Sequence, residues 1–217
     1  MIVIEGGKKL KIVKIPEATI GRLSFYSRYL TKLESDGIET ISSGDIAKGI
    51  AGNSAQVRKD FAYFGGFGKR GVGYNVVDLN RNIKDILGLN REWNAVIVGM
   101  GNLGRALAYY HGFASRGFKI IGLFDNNPSL KGEKINSLEI KDSAELEDFI
   151  EKNNVDIAIL TLPAESVQFV VDRVVKKGVK GILNFAPTVV SAEEGVQVRN
   201  VDLSVNLEIL SYNIISK

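Results

Sequence analysis

Gly99-Met100-Gly101-Asn102-Leu103-Gly104 decides the fold: it is entered from the apolar run Ala95-Val96-Ile97-Val98 and runs on into Arg105-Ala106-Leu107-Ala108. The apolar run reads as a buried strand and the residues after the glycines as the start of a helix. Strand, G-x-G-x-x-G, helix is the grammar of a dinucleotide-binding turn. The first glycine permits the tight turn, the second lets backbone approach a pyrophosphate, and the third lets helix and strand pack closely. Free N–H groups at the helix start then face the phosphates. Gly99, Met100, Gly101, Asn102, Leu103 and Gly104 are therefore candidate cofactor-binding residues. The competing reading is a glycine-rich turn in an α/β domain that binds nothing.

The next strand, Lys119–Phe124, ends at Asp125, 21 residues beyond Gly104. An acidic residue there hydrogen-bonds ribose hydroxyls and repels a 2′-phosphate, which favours NAD/NADH over NADP. Further outward, Asp156–Leu162 and Gly181–Phe185 are apolar, β-rich runs. Helical stretches at Leu103–Ser115, Ala144–Asn153 and Glu165–Lys177 complete βαβ units and hence a parallel sheet. Ligands of such sheets lie beyond the carboxyl ends of the strands. That adds Thr161, Pro163, Asn184, Phe185 and Ala186 to the candidate site, with helix initiation an equal reading for Pro163.

Hydride chemistry needs an acid or base beside the nicotinamide. The only histidine, His111, falls near the end of the first helix of this unit, away from the strand ends, and Tyr109-Tyr110 has no Lys four residues on, since position 113 is Phe. No catalytic residue and no metal cluster is expected, which points to sensing rather than catalysis.

Upstream of residue 90 the grammar changes. Residues 1–90 hold 14 Lys/Arg against 9 Asp/Glu, while the remainder holds 14 against 16. A basic N-terminal part fits a polyanionic partner. Residues 16–35 place Ile20, Leu23, Tyr26, Leu30 and Leu33 at helical spacing, and a shorter helix follows from Ser43 or Gly44 to Ile50. Asn53 caps a third helix, with Gln56 completing a capping box. On that helix Val57, Phe61 and Phe64 share the apolar side, while Gln56, Lys59, Asp60 and Tyr63 lie opposite and Arg58 flanks them. This is the pattern of a helix-turn-helix recognition helix, with donors suited to bases and phosphates; a solvated face on a three-helix domain is the bland alternative. Lys69-Arg70-Gly71 reads as the tip of a basic wing before a returning strand at 74–77, and Asn80–Leu89 as a linking helix.

At 217 residues, 45% of them hydrophobic, the chain is long enough for two small domains. It has no cysteine, no apolar run of bilayer length and no signal-peptide pattern at Met1–Lys14. The expectation is a cytoplasmic protein with no membrane partner.

Gln56–Gly65 continued by Phe67–Tyr74, Gly99–Ala106 with Tyr110-His111-Gly112-Phe113, and Gly181–Pro187 together resemble the redox-sensing transcriptional repressors of the Rex family, over roughly residues 16–215. The resemblance implies a homodimer that binds palindromic double-stranded operator DNA when free or NAD-bound and releases it on binding NADH. It implies an α/β protein: a winged-helix domain (1–90), a parallel-sheet Rossmann domain (91–201), and a C-terminal helix (202–217) exchanged between subunits. Leu203, Leu207, Leu210 and Ile214 form a stripe that must bury against something, either its own core or a partner. The resemblance also implies groove and phosphate contacts at Arg58 and Lys59, with Tyr63, Lys69, Arg70 and Arg22 in support. It further implies a switch in which Asp202 pairs with Arg28 when DNA is bound and with Tyr110 when NADH is present. A helix-start role for Asp202 stays open. Two alternatives remain at this point: a small NAD-dependent oxidoreductase with a basic accessory domain, and a CoA-binding domain, which Asp125 argues against.

Overall fold

The computed structural model describes residues 15–65, 67–68 and 72–216. The expected loose arm at 1–14 and the wing residues Lys69 and Arg70 lie outside the described residues. The chain divides into two units on either side of the Asn90–Arg91 bond.

The first unit runs α1 (Glu17–Ser35), β1 (Thr40–Ile41), α2 (Ser43–Gly49), α3 (Ser54–Ala62), β2 (Tyr74–Asn75) and α4 (Val76–Ile86). Leu23, Tyr26 and Leu30 form the inner stripe of α1, and bury with Ile46, Val57, Phe61, Leu79 and Ile83. Phe61 sits at the centre, with Tyr26, Phe67 and Tyr74 edge-on at centroid distances of 5.3, 5.7 and 5.3 Å; each such pair adds about 0.5–1.5 kcal/mol beyond area burial. The turn between α2 and α3 is tight. Ala51 adopts a positive φ of 52°, the Gly52 N–H donates to the Ala47 carbonyl at 2.7 Å, and Asn53 caps α3 by accepting from the Ala55 N–H at 2.7 Å. β1 and β2 pair antiparallel, Thr40 opposite Asn75.

Two expectations change here. Val76-Val77 belongs to a helix and not to a strand, because the Asn75 side chain accepts from the Asp78 N–H at 2.9 Å and starts α4; a good cap outweighs β-branched propensity. The Gln56 half of the capping box is also replaced, since its amide donates to Asp60 at 2.9 Å.

The second unit is a seven-stranded sheet in the order β5-β6-β4-β3-β7-β8-β9. The strands are β3 (Trp93–Val98), β4 (Phe118–Asp125), β5 (Lys134–Ile135), β6 (Leu138–Asp142), β7 (Ile157–Leu160), β8 (Gly181–Asn184) and β9 (Gln197–Asn200). All neighbours pair parallel except β5 with β6. Counted from β3, the parallel strands follow the 3-2-1-4-5-6 order of dinucleotide-binding sheets, and the order reverses between β3 and β7. α6 (Leu146–Asn153) and α7 (Ala164–Lys176) cover one face through Leu146, Ile150, Val167, Val170, Val171 and Val174. The other face carries Ala95, Ile97, Leu123 and Ile159. On it opens an apolar groove of about 350 Å³ lined by Phe113, Phe118, Ile159, Leu183 and Arg199 among others.

The helix expected over Leu103–Ser115 is shorter: α5 spans Asn102–Ala108, and a 3-10 turn follows at Ala114–Arg116. Asn136, held at a φ of 54°, donates its side-chain amide to the Ala108 carbonyl and so closes the helix end from outside. β5, β6 and β9 escaped the apolar-run reading because they are short strands with charged and polar residues interleaved. The last helix, α8 (Leu203–Ile215), buries none of its residues in the single chain.

Candidate dinucleotide pocket and DNA-facing helix

At the sheet's reversal point the fold itself requires two of the three motif glycines. A Cβ at Gly99, whose φ is +97°, would stand 2.5 Å from the Thr161 carbonyl oxygen. One at Gly104 would stand 1.9 Å from the Gly99 carbonyl oxygen. Gly101 differs, because no atom lies within 4 Å of its Cβ position. That leaves open space and bare backbone in front of the loop. α5 begins there without a side-chain cap. Met100 is fully buried, and Asn102 and Leu103 are exposed at the first turn.

The structure divides the remaining candidates into those that face the opening and those that hold it in shape. Asp125 ends β4 and accepts from the Met100 N–H at 2.5 Å and from the Asn127 N–H at 2.8 Å. Each oxygen keeps acceptor capacity for a ribose hydroxyl. Thr161 lies behind the loop, its hydroxyl donating to the Gly99 carbonyl at 2.6 Å. Pro163 is exposed and precedes the first residue of α7, the helix-initiating role. Asn184 is fully buried, with its amide spent inside the fold: Nδ2 donates to the Thr188 carbonyl and to Asn200 Oδ1, each at 2.8 Å, and Oδ1 accepts from the Ala186 N–H at 2.9 Å. Its side chain thus supports the loop from within. Phe185 is half-buried and Ala186 buried. Phe185 shares a small cavity of about 160 Å³ with Leu103, Pro187, Val201, Asp202, Leu203 and Ser204. Arg105, which sequence reasoning passed over, forms a two-pronged ion pair with Glu133 and donates to the Met100 carbonyl at 3.1 Å, bracing the loop from outside.

Of the expected switch residues, Asp202 caps α8, accepting from the Ser204 N–H at 2.8 Å and its hydroxyl at 2.7 Å. The Ser204 hydroxyl, then its N–H, hold this carboxyl below the usual carboxylate range. Tyr110 is exposed, with its ring edge-on to Phe113 at 5.1 Å. Arg28 is exposed on α1.

On α3, Arg58 and Lys59 are exposed, and Arg58 Nη1 donates to Ser43 of α2 at 3.0 Å. Tyr63 is half-buried just past the helix end. Asp60 corrects the helical-wheel reading, which placed it on the outer face with Gln56 and Lys59. It is fully buried. Its carboxylate accepts from Arg22 Nε at 2.6 Å and Nη2 at 2.7 Å, from Tyr26 at 2.7 Å, from Gln56 at 2.9 Å and from Thr19 at 3.2 Å. Burial pushes the Asp60 pKa up, but the hydrogen bonds from Arg22, Tyr26 and Gln56 outweigh it and hold the carboxyl below its ordinary range. Arg22 and Gln56, read from sequence as DNA contacts, are the charged and polar struts of this brace.

The fold and the two sites define a class: a dinucleotide-binding sheet joined to a helix-turn-helix unit, as in ligand-responsive transcription regulators. Residues 90–188 match the family described as "CoA binding domain", and residues 14–62 the one described as "Putative DNA-binding protein N-terminus". The redox-sensing transcriptional repressor Rex of Carboxydothermus hydrogenoformans is 58% identical over 205 residues, covering 94% of this chain and 99% of the relative. That of Desulfitobacterium hafniense is 52% identical, covering 94% and 98%. The crystal structure of RSP with β-NAD+ and operator DNA is 41% identical, with a TM-score of 0.88 over 93% of each chain. RSP with β-NADH gives 40% identity and a TM-score of 0.82, over 93% of this chain and 95% of the other. The chain belongs to the Rex family of redox-sensing transcriptional repressors, and is a repressor rather than an enzyme.

Proposed function

We propose that the protein represses transcription as a homodimer on palindromic operator DNA in the cytoplasm, bound when free or NAD-loaded and released by NADH. The observation that carries the nucleotide half is the open space at Gly101 in front of a loop whose other two glycines are sterically obligatory. Gly99 to Gly104 cradle the pyrophosphate and Asp125 receives the adenosine ribose, with Thr161, Asn184 and Arg105 holding the backbone in place. The bound dinucleotide supplies the signal, because its oxidised and reduced nicotinamides differ by one charge and in ring planarity. The half-buried Phe185 beside Ala186 gives a low-polarity wall that favours the neutral form. Arg58 and Lys59 contact bases and phosphates from α3, assisted by Tyr63 and by Lys69 and Arg70 of the wing, while Arg22 and Gln56 set the position of the helix.

NADH and operator then oppose each other through one equilibrium, and each lowers the affinity of the other by the same factor. A coupling of about 1–3 kcal/mol corresponds to roughly 5- to 150-fold. Titrating labelled operator in saturating NADH, in NAD and in CoA tests this. Release by NADH alone is expected. Equal operator affinity under all three conditions would sink the redox switch, and release by CoA would replace the ligand.

A further inference from the structure

At the carboxyl end of β8 and β9 two asparagines stand opposite each other in parallel register, Asn184 and Asn200. Asn184 is fully buried, and its amide bonds to three groups on two segments: the Ala186 N–H and Thr188 carbonyl of the following loop, and the side chain of Asn200. On the other side, the Val201 N–H donates to the Asn184 carbonyl at 2.8 Å. Asp202, the next residue, caps α8. One buried amide therefore connects the Phe185-Ala186 loop to the end of β9, from which the chain passes through Val201 and Asp202 into α8. The same two segments face each other across the small cavity between Phe185 and Leu203. An Asn–Asn pair satisfied in this way has a defined orientation, because the bond to Asn200 breaks if either partner shifts by more than a few tenths of an ångström.

We infer that Asn200 is a positioning residue for the redox response: through Asn184 it transmits a displacement of the Phe185-Ala186 loop to the start of α8. It need not touch either ligand. This rests on the redox-switch reading above. Its contribution to the coupling is that of one hydrogen bond, about fivefold in the factor by which NADH weakens operator binding.

The test measures three quantities on the full-length protein: NADH affinity, operator affinity without nucleotide, and operator affinity in saturating NADH. Asn200→Ala is expected to keep the first two within about twofold of the parent, while the NADH-dependent loss of operator affinity shrinks by about fivefold. Asn200→Asp retains an oxygen acceptor for Asn184 Nδ2 and should restore the response, an outcome that a purely structural role does not require. The inference is overturned if Asn200→Ala responds to NADH as fully as the parent. It is overturned equally if Asn200→Asp loses as much response as Asn200→Ala, or if Asn200→Ala loses NADH binding itself. A parent protein whose operator affinity ignores NADH would instead remove the underlying reading, which separates the two failures.

Discussion

Asp60 shows how far a single residue can mislead a helical wheel. Its spacing put it with Gln56, Lys59 and Tyr63 opposite the apolar side, and no spacing rule announces that Arg22 and Tyr26, some 35 residues earlier, will fold over it. The signal that could have found it is chemical: an Arg and a Tyr on one helix at i and i+4, both near the apolar stripe of α1, need an acceptor when buried. Removing that acceptor leaves the buried Tyr26 phenol unpaired and the part-exposed Arg22 with only the Thr19 hydroxyl. Breaking a buried pair costs about 3–5 kcal/mol, and the partial exposure of Arg22 reduces this to about 2–3 kcal/mol. Asp60→Ala should therefore unfold the first unit at lower urea and weaken operator binding, with NADH affinity unchanged; loss of NADH binding in the same variant would contradict the division of roles. The glycine loop gives a sharper contrast. Gly101→Ala meets nothing in the fold and should leave thermal stability unchanged, yet reduce NADH affinity at least tenfold, roughly 1.4 kcal/mol or more, by filling the pyrophosphate space. Gly104→Ala should lose both, because its Cβ would overlap the Gly99 carbonyl. Isothermal titration and melting on the same samples distinguish the two.

At the scale of elements, most of the fold was legible where a helix buries one side or a strand is an apolar run. α1, α3 and α7 follow their periodicity, and β3, β4, β7 and β8 coincide with the apolar runs. What was not legible has specific causes. α5 is closed by Asn136, a residue on a different hairpin, and β9 is an edge strand whose Gln197-Val198-Arg199-Asn200 lacks an apolar run. The brace between α1 and α3 was likewise hidden, and it carries a pH signature. Burial, then the hydrogen bond to Asp60, raises the Tyr26 pKa well above its ordinary value of 10.0. The folded state therefore favours the protonated phenol. Its contribution to stability is complete below pH 10 and is lost as pH rises above that value, where an unfolded tyrosine ionises but Tyr26 cannot. Asp60 has the opposite sign: its folded pKa is depressed, so its contribution is complete above the ordinary carboxylate value of 3.8 and disappears as pH falls below it. Melting the protein between pH 8 and 11 should show a decline above pH 10 that is shallower in Tyr26→Phe. A decline of equal slope in that variant would mean that other groups dominate the alkaline limb.

For the whole molecule, the decisive element is α8. Its Leu203, Leu207, Leu210 and Ile214 stripe was legible as apolar, but sequence could not say against what it packs. In the single chain these side chains are 62, 67, 56 and 75% exposed. A 13-residue helix is marginal alone in water and takes its stability from packing. A second copy of the chain is the occupant we propose, since a two-fold dimer would offer two recognition helices to the two half-sites of a palindrome. Burying one Leu contributes about 1.5–3 kcal/mol, and a two-fold contact counts each residue twice. Leu207→Glu with Leu210→Glu should therefore convert a dimer to monomers at micromolar concentration in sedimentation velocity. A monomer engages only one half-site, so operator affinity should fall at least about 100-fold, while a single half-site binds parent and variant more nearly alike. Binding of NADH through Gly99 to Asp125 should persist in the monomer, because every residue assigned to the pyrophosphate and ribose comes from one chain. A variant that stays dimeric with α8 charged would mean that another surface holds the copies together, and the exchange of this helix would have to be abandoned.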